Sequence, residues 1–163
     1  AAHGILPELC AFIRYRPDKL SAFDANSRVS LSPRGYHFLS DVLKLGLGQF
    51  EELAAAKGIL GEGTAIELAA YVQMARAMFV DLDECIKNPR KAPIPHKDKT
   101  DQLFAVSAGL AYKATKDNFA PICEYAHRLP SEFRSYLILD AVRRDGTLRQ
   151  LKPYIDFAMS VKL

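Results

Sequence analysis

The sequence predicts an all-α fold, a helical bundle, on three observations. Apolar residues recur at three- and four-residue spacing along most of the chain, and the strict alternation of a half-buried strand is scarce. Helix starts and stops are marked by cap residues, prolines and glycines at the expected offsets. With 163 residues, 49% of them hydrophobic and 25% charged, the chain has enough apolar material for a packed core and is too apolar to be disordered.

The elements follow in order. Residues 6–15 place Leu6, Leu9, Cys10 and Ile13 on one face and stop before Pro17, as a helix should. Residues 17–29 read as an irregular connector. Ser32 then supplies an N-cap and Pro33 the first helical position of a helix over 33–45, with Phe38, Leu39, Val42 and Leu43 apolar and Gly46 as the stop. A short helix over 49–57 leads to a glycine-rich turn at 58–63, after which Thr64 caps a long apolar helix to about Phe79. Residues 81–88 form one or two further turns whose leading acids suit the helix dipole. The stretch 88–99, NPRKAPIPHKDK, combines three prolines with four lysine or arginine residues and reads as a linker or an extended strap. Helices over 100–114, 117–129, 131–144 and 153–162 follow. Asp117 caps the second, Ser131 and Glu132 open the third after Pro130, and Gly146 ends it. The organisation expected is 1–87, a linker at 88–99, and 100–163.

Composition narrows the function classes. No apolar run reaches the ~18–20 residues of a membrane span; the longest, near 65–80, is interrupted by Glu67, Gln73 and Arg76. The start, AAHGILPEL, has neither a basic leader nor an initiator methionine, which suggests a trimmed fragment. A net charge of +3 is mildly basic and does not by itself imply nucleic acid. Cys10, Cys85 and Cys123 are odd in number, far apart and set among apolar neighbours, the pattern of buried thiols in a reducing cytoplasm.

Each motif that could carry chemistry is incomplete. Gly58, Gly61 and Gly63 have the glycine spacing of a phosphate-binding loop, but Thr64 stands in place of the lysine and Ala65 in place of the magnesium-binding hydroxyl. His3, His37, His96 and His127 form no i,i+4 pair. His127 lies one turn from Cys123 and Glu124, but one helix face offers too few ligands, and no metal is expected. The acids Asp81, Asp83 and Glu84 lack a second polar cluster to form a catalytic pair and fit a helix start. Basic groups occur around Tyr15 (Arg14, Arg16), in 88–99 (Arg90, Lys91, Lys97, Lys99) and near the end (Arg143, Arg144, Arg149, Lys152). They could contact phosphates, but cations at helix ends are commonplace.

Two stretches together resemble the region that follows the ATPase core in MoxR-type AAA+ ATPases. The first is Ser32-Pro33-Arg34-Gly35-Tyr36-His37-Phe38-Leu39-Ser40-Asp41, which resembles the family's S/T-P-R-x-W/Y segment opening a helix of the small helical lid. The second comprises Gly58-x-x-Gly61, Lys87-Asn88-Pro89, Ala92-Pro93-Ile94-Pro95, the run Glu124 to Phe133 and Asp140-Ala141-Val142-Arg143-Arg144-Asp145. The likeness covers most of the chain after about Ala11. It implies an AAA+ lid-like subdomain with a carboxyl-terminal helical extension, and makes Arg34 the sensor-2 arginine that reaches the terminal phosphates of ATP. A planar, permanently charged guanidinium suits that task. The resemblance further implies ATP and magnesium in the parent, a hexameric ring of neighbouring subunits around its own AAA+ core, chaperone-like remodelling, and a von Willebrand A-domain partner. The phosphate-binding loop, the acidic magnesium-binding strand and the arginine finger are absent, and Tyr36 replaces the commoner tryptophan. This chain alone therefore has no complete active site and holds no cofactor of its own. The alternative is a stand-alone helical module that binds protein or, less readily, nucleic acid through its basic groups.

Overall fold

A computed structural model describes residues 4–22, 29–76 and 80–161. Among them the secondary structure is helical, apart from one antiparallel bridge between Ala22 and Leu31. No helix among them is long and apolar enough to cross a membrane. The chain divides into two compact units that meet in sequence at Ala77 and Met78.

The first unit contains α1 (Pro7–Tyr15), α2 (Pro33–Leu43), α3 (Gln49–Leu60) and α4 (Glu62–Arg76), with a 3-10 turn at Pro17–Lys19. α3 packs on α4, α2 on α3, and α1 on α4. The core is built from Leu9, Phe12, Tyr36, Leu39, Leu60, Leu68 and Tyr71. Tyr71 meets the edge of Phe12 and stacks with Tyr15, each at 5.7 Å between ring centroids. The glycine-rich turn expected at 58–63 is far tighter. α3 runs through Gly58 to Leu60, and Gly61 alone separates it from α4. Gly61 sits at φ +80°, a left-handed conformation that other residues adopt only with strain, so one residue suffices to reverse the chain. The next helix thus starts at Glu62, and Thr64 is a buried first-turn residue, not its cap. Its expected end near Phe79 lies outside the described residues, as does 23–28 of the connector.

The second unit contains α5 (Leu82–Lys87), α6 (Thr100–Lys113), α7 (Phe119–Ala126), α8 (Ser131–Arg144), a 3-10 turn (Gly146–Gln150) and α9 (Lys152–Val161). α6 is its centre. Val106, Ser107, Ala108, Gly109, Leu110 and Ala111 are all buried, so neighbours surround this stretch on every side. α8 packs along it with Phe133, Leu137, Ile138 and Ala141, and Phe104 meets the edges of Phe133 and Tyr136. Gly109 admits α5, since a β-carbon there would come within 2.6 Å of Leu82 Cδ1. α5 therefore packs with α6 and α7, on the carboxyl-terminal side of the division in the chain. α7 is shorter than expected and begins at Phe119; Asn118, not Asp117, occupies its cap position. The Asn118 side chain closes the preceding loop, accepting from Thr115 N–H at 2.7 Å and donating to the Lys113 carbonyl at 2.9 Å.

Residues 88–99 lie against α7. Tyr125, fully buried, donates its hydroxyl to the Pro93 carbonyl at 2.8 Å. Arg128 donates to the carbonyls of Pro89 at 2.6 Å and Ala92 at 2.9 Å, and Arg90 pairs with Glu124. Ala92 is buried in the same core as α6 and α8, with Ile94 packed against it. The segment has the proline content of a spacer, but its carbonyls need donors, and α7 supplies them.

Two outcomes follow. Leu137→Ala, at a fully buried position, should destabilise the protein by about 2–5 kcal/mol in urea unfolding, through lost burial and a residual cavity. Burial also pushes the Cys123 thiol up to about 12 from its ordinary 9.0. A raised acid keeps its proton in the folded state while the unfolded thiol ionises, so stability is full below pH 9 and falls as pH climbs toward about 12. Urea unfolding across that window should show the decline, and Cys123→Ala should remove part of it.

Candidate functional site

The amino-terminal end of α2 carries the first candidate, Arg34. Ser32 is extended (φ −154°, ψ 154°), and its hydroxyl accepts from Gly35 N–H at 3.2 Å. Pro33 follows with its ring suited to the first helical position, so the cap and start read from the sequence are both present. The helix register is held from within. Tyr36 is fully buried and donates to the Lys19 carbonyl at 2.9 Å; Ser40, equally buried, accepts from Leu6 N–H at 2.9 Å; and Leu39 packs between them. Burial, with smaller contributions from Asp18 and Glu67, pushes the Tyr36 phenol up to about 12, so it serves as a neutral donor.

The Lys19 carbonyl is itself positioned by charge. Arg16 grips Asp18 with two nitrogens at 2.9–3.0 Å, and Glu67 of α4 receives both Arg16 at 2.6 Å and Lys19 at 2.8 Å. The hydrogen bond from Arg16 is the main cause of a lowered Asp18 carboxyl. This cluster ties the 3-10 turn to α4.

With Tyr36, Leu39 and Ser40 inward, Arg34, Phe38 and Asp41 share the outward face of α2 at i, i+4 and i+7 spacing, with His37 beside them, and all four are exposed. Arg34 makes no ion pair among the described residues. Its place two residues after the cap makes it a fixed cation projecting from a rigid helix start.

The other sequence candidates have structural uses. Asp81 caps α5 by accepting from Asp83 N–H at 2.8 Å, Asp83 pairs with Lys113 at 2.7 Å, and Glu84 accepts from Asn88. Lys113 holds the Asp83 carboxyl below the usual range. These acids are therefore not gathered around a shared pocket. Among the described residues no group of three His, Cys, Asp or Glu side chains could hold a metal. His127 contacts Arg134 at 3.4 Å, while the Cys123 thiol is buried. Cys85 is also buried and its thiol is pushed up, chiefly by that burial. The basic cluster near the end is divided: Arg144 pairs with Asp140 at 2.9 Å and lies over the Tyr112 ring, while Arg143 and Arg149 are exposed.

A second feature escaped the sequence reading. Between α3 and α4 lies an apolar cleft of about 60 Å³, lined by Leu43, Leu53, Ala56, Ala65, Leu68 and Val72 among others. The corner 44–48, whose flanking residues Leu43 and Gln49 both line the cleft, carries Leu45 at 73% exposure; Phe50, just beyond it, is 88% exposed. The signal was present in Leu45-Gly46-Leu47-Gly48-Gln49-Phe50, but apolar residues alternating with glycine at a helix boundary match neither a helix nor a strand period.

No protein-family model, curated protein or solved structure matches this chain. Replacement of the Ser32 cap by alanine should cost about 0.5–2 kcal/mol in chemical unfolding, because Gly35 N–H loses its acceptor.

Proposed function

We propose that this chain is the helical lid region of a larger AAA+ ATPase of MoxR type, and that Arg34 is the residue it lends to bound ATP. The observation that carries the reading is the disposition of Arg34: exposed, without an ion pair among the described residues, and the second residue of a capped, proline-started helix whose register Tyr36 and Ser40 hold. A cation meant for a ligand outside its own domain needs that combination of rigidity and vacancy. The resemblance of Ser32-Pro33-Arg34-Gly35-Tyr36 to the family's lid-opening segment supports the same role. In this reading the nucleotide-binding core and its magnesium lie elsewhere in the parent, which works as a hexameric ring of subunits and remodels other proteins, with a von Willebrand A-domain protein as partner.

The guanidinium would stabilise charge on the transferring phosphoryl group through two parallel hydrogen bonds, a geometry that lysine cannot copy. The isolated chain should turn over no ATP. In the parent, Arg34→Ala should lower ATP turnover by about a hundredfold or more, with Arg34→Lys recovering little. Neither variant should shift the melting temperature, since the side chain is exposed. Unchanged turnover in Arg34→Ala, or a parent with no G-x-x-x-x-G-K-S/T segment preceding Ala1, would sink the proposal.

A further inference from the structure

The strap at 88–99 carries cations that its own fold does not use, and this feature is independent of Arg34. Its first turn is fixed. The Asn88 carbonyl accepts from Lys91 N–H at 3.0 Å and Ala92 N–H at 2.9 Å, Arg128 holds the carbonyls of Pro89 and Ala92, and Ala92 is buried. Around that turn opens a bowl of about 290 Å³, lined by Lys87, Asn88, Pro89, Arg90, Lys91 and Glu124. Pockets for metabolites and cofactors are lined mainly by apolar and aromatic side chains. Here Pro89 is the one apolar lining residue and three of the six are cations, so an occupant binds through charge.

Those charges are available. Lys87 and Lys91 are exposed and make no ion pair among the described residues, and the same holds for Lys97 and Lys99 farther along the strap. Lys87 adds a minor field at Asp83, whose hydrogen bond comes from Lys113. Glu124 takes Arg90 through Nε, which orients the guanidinium and leaves its two terminal nitrogens without a hydrogen-bond partner among the described residues. That free edge matches the two oxygens of a carboxylate. The acids nearest in sequence are engaged: Glu84 accepts from the Asn88 amide, and Asp98 faces His96 at 3.2 Å. Elsewhere in this unit Lys113 and Arg144 are matched by Asp83 and Asp140. Residues 87–99 contain no phenylalanine, tyrosine or tryptophan on which a nucleic-acid base could stack, and a net charge of +3 is small for a surface that tracks phosphates. A peptide rich in carboxylates meets the same cations without either.

We propose that the bowl at 87–91 is a docking site for an acidic peptide segment. One carboxylate takes the terminal nitrogens of Arg90, and neighbouring carboxylates meet Lys87 and Lys91.

The test uses the full chain and two fluorescently labelled peptides of about ten residues, identical except for glutamate or glutamine at alternate positions. Anisotropy is read at about 50 mM salt, where exposed charges are only partly screened. The glutamate peptide should bind saturably and one-to-one, and the glutamine peptide at least about tenfold more weakly. Arg90→Gln, and the pair Lys87→Glu with Lys91→Glu, should each weaken the glutamate peptide by about tenfold. Arg143→Glu with Arg149→Glu makes the same change in net charge at exposed positions outside the bowl, and should leave the affinity within about twofold. All five side chains are exposed, so circular dichroism should show every variant folded like the parent chain. No saturable binding of the glutamate peptide, equal binding of the two peptides, or equal weakening by the two pairs of reversals overturns the proposal. So does tighter binding of a labelled oligothymidylate of equal charge that the same bowl variants abolish, for the partner would then be a nucleic acid.

Discussion

A buried phenol hydroxyl must find an acceptor, and in each unit that requirement joins a helix to an irregular segment. Tyr36 of α2 donates to the Lys19 carbonyl, and Tyr125 of α7 to the Pro93 carbonyl. Both rings are fully buried. An orphaned hydroxyl inside a core costs about 1–3 kcal/mol, and a carbonyl facing apolar neighbours carries a similar penalty, so each bond satisfies two groups at once. Each irregular segment, which has no ladder of its own, is thereby tied to a buried helix. The outward face of α2 and the path of 88–99 both depend on these two contacts.

The electrostatics divide into cations that hold the fold and cations left outward. Arg16 and Lys19 converge on Glu67, and Arg128 serves two carbonyls of the strap while lying over the Tyr125 ring. Arg144 is taken by Asp140 and Tyr112. Solvent-exposed pairs contribute little singly, about 0–1 kcal/mol, and these are at most partly buried. Their value here lies in placing backbone, as the Arg16–Asp18–Glu67–Lys19 cluster places the Tyr36 acceptor. Arg34 stands apart because the core holds its helix while the side chain is left outside. The cleft in the same unit differs from it in character, being lined mainly by apolar side chains of α3 and α4.

Much of the architecture was legible in the chain. Ser32-Pro33 opens α2 as read, Asp81 caps α5, and α8 runs over the residues expected of it, because each signal acts through bonds to neighbours within four positions. The misreadings share one cause. Gly58 looked like part of a turn but sits inside α3, where an exposed glycine costs only about 1 kcal/mol. For residues 88–99 composition left a linker and an extended strap both open, and it cannot reveal that Arg128 and Tyr125, more than thirty positions away, would bind their carbonyls. The cleft was invisible for the same reason, since alanines that are unremarkable in sequence become a floor only when α3 and α4 are side by side.

By itself, then, the sequence determined the helical class, most helix boundaries, and the position of Arg34 two residues after its helix cap, since propensity, capping and apolar period are local properties of a chain. Only the tertiary structure decided that α5 packs with the second unit, that 88–99 is strapped to Tyr125 and Arg128, and that an apolar cleft opens between α3 and α4. Those features depend on burial and on hydrogen bonds between residues remote in sequence, which no local pattern encodes.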